Sequence, residues 1–333
     1  MIRRLRVSRS AGRPATLVLA LGACTGNAGE RRPPDPPGTL VFGVVGDAPY
    51  NVLEERRFAG VIEDVNRDSL PWVIHVGDAF SAPCTDVIME DRVARLRMID
   101  AGVVFTPGDN DWTDCWGRRM GRYDPLERLD AVRRIFFPRP GWSLGGRPIA
   151  VVSQSDDPRW REFVENQRWT GDRVTFATVH LVGSRNGLER HPGWGAPNER
   201  EAARRTEASV AWLRDAFEQA RADSARAVVV AMHAEPNLDA PADDPYRAVY
   251  RPFFAALATE ARAYGGPVLL IHGDSHAYRV DRPLVDSMAG DPVPNVTRLI
   301  TMGSPDLGWV RVTLDADGRF SFEPRRVSFW RVW

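Results

Sequence analysis

The residues with chemical capacity recur in one pattern along the chain. Gly46-Asp47 closes the apolar run Leu40–Val45, Gly77-Asp78 closes residues 72–76, and Gly108-Asp109-Asn110-Asp111 follows residues 103–106. Met232-His233 ends the run 227–232, and His272-Gly273-Asp274-Ser275-His276 follows residues 267–271. One Gly-Asp after a strand is an ordinary turn with an Asx bond. Five such endings after buried strands are harder to assign to turns, because open α/β sheets bind ligands beyond the carboxyl ends of their strands. Glycine beside each carboxylate lets the backbone approach a ligand closely. Asp47, Asp78, Asp109 and Asp274 gathered in one place would repel one another, and their pKa values would rise, unless cations neutralise them. With His233 and His276 neutral, two divalent cations cancel the four charges. The expectation is a dinuclear metal site.

Alternating elements must position these residues. Strands are expected at Leu40–Val45, 72–76, 103–106, 174–182, 227–232 and 267–271. Helices are expected near 53–65, 86–99, Pro125–Phe136, 198–221 and 246–263, with Val210, Leu213, Phe217 and Ala220 at helical spacing in the fourth. Residues 138–148 are rich in proline and glycine. A tail of short strands follows at 299–302, 309–314, 320–322 and 327–332. Alternation with a strand-rich end predicts a layered α/β protein carrying some antiparallel sheet.

The chain has 333 residues and 37.2 kDa, 43% hydrophobic and 26% charged, which excludes a disordered or fibrous polymer. All 44 basic residues are arginine. Without lysine there is no Schiff-base chemistry, no P-loop lysine and no Ser-Lys dyad. The first 23 residues read as a targeting segment: Arg3, Arg4, Arg6, Arg9 and Arg13, then an apolar run over 15–23 that is too short to span a bilayer. Leu21-Gly22-Ala23-Cys24 resembles a bacterial lipobox, with Cys24 acylated as the new N-terminus; an ordinary secretory signal is the other reading. Thr25 after that cysteine points to the outer membrane by resemblance to lipoprotein sorting rules.

Loss of the five leader arginines leaves 39 basic residues against 44 acids, a formal net charge of −5, which argues against nucleic-acid binding by overall field. Residues 24–38 read as a proline-rich tether and 39–333 as a single domain. Cys84 and Cys115 then remain in an oxidising compartment, where an even count favours a disulfide; the other reading, a pair of metal ligands, lacks a Cys-x-x-Cys partner.

The ordered set Gly46-Asp47, Gly77-Asp78, Gly108-Asp109-Asn110-Asp111-Trp112, His233 and Gly273-Asp274-Ser275-His276 resembles the calcineurin-like metallophosphoesterase superfamily. It also resembles purple acid phosphatases, whose third motif is Gly-Asn-His followed by an acid. The resemblance implies a two-sheet αββα layered domain with two metals bridged by an aspartate. Carried over, Asp47 and His276 hold the first metal, Asp78 bridges, Asp109 stands for a metal-binding asparagine, and His233 and Asp274 hold the second. This sequence departs from the pattern at three places. Asn110 replaces a histidine, Asp274 replaces the first histidine of Gly-His-x-His, and Pro49 stands where many members have a further histidine. An alternative register makes Asn110 the ligand and Asp111 the catalytic acid. The oxygen-rich set favours manganese, magnesium or calcium over zinc or iron.

The implied activity is hydrolysis of a small phosphate ester, monoester or diester, by a protein lipid-anchored on the periplasmic face of the outer membrane. The alternatives are a catalytically impaired metal-binding module of the same fold, and a structural envelope lipoprotein that binds calcium only. A disulfide between Cys84 and Cys115 would staple the loops that carry Asp78 and Asp109. Tyr50 reads either as a site residue or as a packed turn tyrosine. His180 and the turn Gly183–Gly187 read either as substrate contacts or as a core histidine and a plain hairpin turn. His75 and His272 read as core residues behind the site, and His191 sits on a loop that either covers the cleft or is plain surface.

Overall fold

The computed structural model describes residues 35–241, 243–286 and 290–327. Cys24 with its leader, and all of the expected strand 327–332 beyond Val327, lie outside the described residues. Among the described residues no helix is long and apolar enough to cross a membrane.

Two sheets form the frame. In the first, β1 (Leu40–Val45), β2 (Trp72–His75) and β3 (Gly102–Phe105) run parallel. The short β4 (Leu144–Gly145), inside the proline- and glycine-rich stretch, pairs antiparallel with β3. The second sheet is built on parallel β7 (Val174–Thr178), β8 (Ala227–Ala231), β9 (Val268–His272) and β11 (Val296–Ile300). Antiparallel β6 (Gln167–Gly171) and β5 (Val152–Ser153) extend one side of it, and β10 (Arg279–Asp281) extends the other. The C-terminal hairpin of β12 (Gly308–Leu314) and β13 (Phe320–Arg326) joins the first sheet beside β1.

Side-chain parity explains the layering. Phe42, Val44, Ile74 and Val104 face Phe176, Val229, Leu269 and Ile271 in one core between the sheets. The alternate residues Val45, Val73 and Val103 face outward onto the helices Val52–Arg67, Asp86–Leu96 and Pro125–Phe136. On the opposite side Val228, Val230, Val268 and Leu270 pack under the helices Ala196–Ala222 and Arg251–Tyr264. Strands buried on both faces read as continuous apolar runs, and the result is the expected αββα arrangement. The helix expected over 246–263 is divided, because Pro252 starts a new helix after the short turn Pro245–Ala248.

Residue 35 is packed onto the domain. Asp35 already accepts from Arg311 Nη2 at 2.5 Å, and Thr39 N–H bonds the Pro36 carbonyl, so the domain begins by residue 35. Cys84 and Cys115 form a disulfide with both residues fully buried.

Candidate metal centre

Register brings the strand ends into line. Val45 pairs with His75, and His75 with Phe105, so Asp47, Asp78 and Asp109 leave one edge of the first sheet. In the second sheet Ala231 pairs with Ile271, which brings out His233 and Asp274 beside them. Asp47, Asp78 and Asp274 turn sharply at this edge with φ of 54°, 55° and 69°, and His276 follows at 60°. Left-handed backbone is uncommon for side-chain-bearing residues and concentrates at functional sites.

The acids close on one imidazole. His233 Nε2 lies 3.5 Å from Asp78 Oδ1, 3.5 Å from Asp109 Oδ1 and 3.9 Å from Asp274 Oδ1. Its Nδ1–H donates to the Val76 carbonyl at 2.8 Å, which fixes the ring and turns Nε2 toward the acids. Two compact groups result, Asp47–Asp78–His233 and Asp109–His233–Asp274. Both groups draw on His233, whose free Nε2 has one lone pair and can serve a single cation. The imidazole is the cationic partner of this cluster and draws the carboxylates around itself. His276 stands at the margin, with Nε2 3.8 Å from Asp47 Oδ1 and Nδ1–H donating to the Ser304 carbonyl at 2.7 Å.

Asp111 lies behind the donor groups. Its carboxylate is fully buried and accepts three backbone N–H bonds, from Asp78 at 2.9 Å, Ala79 at 3.0 Å and Gly108 at 2.7 Å. It braces the Asp78 and Asp109 loops together. Asn110 does face the site: its backbone N–H and Nδ2 donate to the two oxygens of Asp78 at 2.9 and 2.8 Å. Gly108 is required here, since a Cβ would fall 2.1 Å from Asp78 Oδ1 and 2.8 Å from His233 Cε1.

The electrostatics show what the cluster lacks. Burial pushes Asp47 up to about 7, against the pull of His233. Burial, then Asp109, pushes Asp274 up to about 6, again opposed by His233. Asp78 is raised well above the carboxylate range, first by burial and then by Asp109, Asp111 and Asp47. Burial alone would lower His233, but Asp78, Asp109 and Asp274 hold it well above the usual imidazole range. Among the carboxylates Asp109 is the exception: burial alone would raise it, but His233 and Ser184 hold it below the usual carboxylate range. Asp47 Oδ2 and His233 Nε2 are buried without a hydrogen-bond partner among the described residues. Both atoms belong to the donor groups rather than to the remote core. Carboxylate oxygens and an imidazole nitrogen fixed from behind are what a divalent cation takes as ligands. The donor set fits a metal.

Tyr50, Ser184 and Asp114 add hydrogen-bonding groups to the site, and of these only Asp114 carried no functional reading in the sequence. The Tyr50 hydroxyl donates to Asp78 Oδ2 at 2.6 Å and lies 3.3 Å from His276 Nε2. Burial, with Asp78 adding, raises its pKa, so it remains a donor. Ser184 Oγ donates to Asp109 Oδ2 at 3.2 Å and to Asp114 Oδ1 at 2.7 Å. Asp114 is pushed up to about 6 by burial and then by Asp109.

Ser184 belongs to Gly183–Gly187, which is no hairpin turn. Ser184, Arg185 and Asn186 are consecutive left-handed residues at φ 46°, 57° and 58°, a conformation costing about 1–2 kcal/mol each for L-residues. Anchors hold it: Asn186 N–H donates to the Tyr250 hydroxyl at 3.0 Å, and Arg205 Nη2 donates to the Asn186 carbonyl at 2.9 Å.

The remaining histidines are structural. His180 is fully buried, accepts from Trp112 Nε1 at 3.1 Å and pairs with Glu165 at 2.8 Å, so its ring is fully engaged in the core. Burial holds His75 and His272 down to about 3. His191 stacks on Trp116, ring centroids 5.7 Å apart, tying its loop to the disulfide-linked one.

No protein-family model and no curated sequence matches the chain. Three solved structures are similar to it at low identity. GAP50, the anchor in the inner membrane complex of Plasmodium, has 10% identity over 89% of this chain and 86% of that one, with a TM-score of 0.48. TT1561 of Thermus thermophilus has 10% identity over 87% of this chain and 100% of that one, with a TM-score of 0.48. Phosphopantetheinyl hydrolase (PptH) from Mycobacterium tuberculosis has 17% identity over 80% of this chain and 91% of that one, with a TM-score of 0.41. In motif order, two-sheet layering and the gathering of acids and imidazole at one edge, the chain resembles the calcineurin-like metallophosphoesterase superfamily.

Proposed function

We propose that this protein hydrolyses phosphate esters at a site for two divalent cations, built from Asp47, Asp78, Asp109, His233 and Asp274 with His276 at its margin. The observation that carries the proposal is the convergence of these donors at one sheet edge with Asp47 Oδ2 and His233 Nε2 buried and unpartnered. Divalent cations held there would supply charge to a phosphoryl oxygen and bring the pKa of water toward neutrality.

The chain's own residues set the rest. Val76 orients His233, and Ser304 orients His276. Tyr50 and Asn110 present hydrogen-bond donors beside Asp78. Neither shuttles a proton: burial keeps the phenol protonated, and an amide has no proton to give at neutral pH. With asparagine in place of an imidazole acid, the leaving group departs without that help, which typically costs about 10²–10⁴-fold. Esters with good leaving groups, aryl or nucleotide, suffer least. The same amide bond from Asn110 to Asp78 supports a second reading, a metal-binding module of this fold that no longer turns over ester.

Hydrolysis of an aryl phosphate and of its bis-aryl diester separates the two. Manganese, magnesium, calcium and zinc are compared, with Asp78→Asn as control. Metal-dependent turnover lost in Asp78→Asn is expected, with the oxygen-rich ligand set favouring the first three cations over zinc. A folded, metal-loaded protein that cleaves neither ester would move the binding module ahead.

A further inference from the structure

We infer that Arg185 binds the substrate's phosphate group, presented to the metal edge by the left-handed turn Gly183–Gly187. This rests on the phosphoesterase reading and adds to it the residue that recognises the anion. The ligand cluster itself offers only acids and imidazoles, and the chain has no lysine, so a fixed cation for the substrate must be an arginine. The buried arginines nearby are committed. Arg205 bonds Glu201 and Asn186, and Arg298 bonds Asp281 and Glu235. The Arg185 side chain is exposed and makes no hydrogen bond, ion pair or ring contact among the described residues. A guanidinium offers a planar fork of donors that matches phosphate oxygens.

Position and conformation agree with this role. The residue two before Arg185 touches the metal site: a Cβ on Gly183 would fall 2.2 Å from Asp109 Oδ2 and 2.8 Å from Asp274 Oδ2. The residue before it, Ser184, bonds Asp109. The residue after it, Asn186, is buried and held by Tyr250 and Arg205. Arg185 is therefore the free side chain of a segment fixed on both sides against the centre. At φ 57° a glycine or asparagine would sit with less strain. Strained residues persist where the surroundings over-determine them, and they collect at ligand clamps.

The test uses the full chain loaded with manganese, comparing Arg185→Gln and Arg185→Lys with the wild type. Inorganic phosphate binding is read by calorimetry and KM against kcat by aryl phosphate hydrolysis. Losing charged hydrogen bonds to phosphate is expected to weaken phosphate binding and raise KM by about 10-fold or more in Arg185→Gln. Lysine should recover part of the loss, and manganese affinity and melting temperature should not change. Unaltered phosphate affinity and KM in Arg185→Gln would overturn the assignment while leaving the hydrolase reading intact. A wild type that neither binds phosphate nor cleaves ester would overturn both.

Discussion

Gly183 is the least invasive place to disturb the centre without removing a ligand. Its φ is not in the left-handed range, so the backbone accepts alanine. The added methyl would lie 2.2 Å from Asp109 Oδ2, and within 2.8 and 2.9 Å of the two Asp274 oxygens, whereas ordinary contact begins at 3.4 Å. Something must retreat by about 1.2 Å. The turn cannot, being pinned through Asn186 to Tyr250 and Arg205, so the carboxylates swing instead. Metal–ligand distances tolerate only about ±0.2 Å. Disturbing the support of a ligand typically costs about 10–100-fold in metal affinity, or about 1.4–2.7 kcal/mol. Carboxylate ends move easily, so the metal-free fold should lose no more than about 1 kcal/mol, the low end for small-to-large changes. Calorimetric titration with manganese and thermal melts in chelator measure the two quantities separately. Wild-type manganese affinity in a folded Gly183→Ala protein would refute the placement of Asp109 and Asp274 as ligands.

Two further predictions concern the scaffold. Glu165 is fully buried between Arg133 and His180; burial alone would raise it, but Arg133 and His180 hold it down to about 2. A depressed carboxylate stabilises the fold above its unfolded pKa and loses that contribution as pH falls through about 4.5 toward 2, here about 3 kcal/mol. The stability gap between wild type and Glu165→Gln, measured by urea unfolding, should therefore be full at pH 6 and shrink below 4.5; a constant gap down to pH 3 would contradict the pairing. The Cys84–Cys115 bridge spans a sequence separation of 31, and removing it as the double alanine variant should cost about 3–4 kcal/mol. A loss below 1 kcal/mol would show that the loops are held by other contacts.

The parts legible in the sequence were those whose burial is uniform. β1, β8 and β9 are apolar up to His272 because each is covered on both faces, and Asp47, His233 and Asp274 follow their ends. The outer strands of the second sheet carry no such signal. β6 (Gln-Arg-Trp-Thr-Gly) and β10 (Arg-Val-Asp) are short, partly exposed and polar. The start of β11 was hidden by Arg298, which is buried with Asp281, Glu235 and Asp239 as its partners. At the site, Asp111 carries the right chemistry for a catalytic acid, and only the hydrogen bonds reveal a brace. Ser184 and Arg185 depend on three successive left-handed residues, a conformation their side chains do not announce. The proline-rich tether looked uniform by composition, yet Asp35 within it finds Arg311 across 276 residues.

The proposed site for two cations draws on both donor groups, in which His233 is the common member. Its most direct test is the stoichiometry and pH dependence of manganese binding to the wild-type protein and to His233→Ala, by calorimetry with elemental analysis. Two equivalents per chain are predicted. Binding should release protons and strengthen as pH rises through about 6 to 7, because Asp274 and Asp47, pushed up to about 6 and about 7, must ionise. His233→Ala should lose one of the two, since only Nε2 of that ring is free to bind a cation. Binding of one equivalent or none by the wild type, or two retained by His233→Ala, would contradict the account.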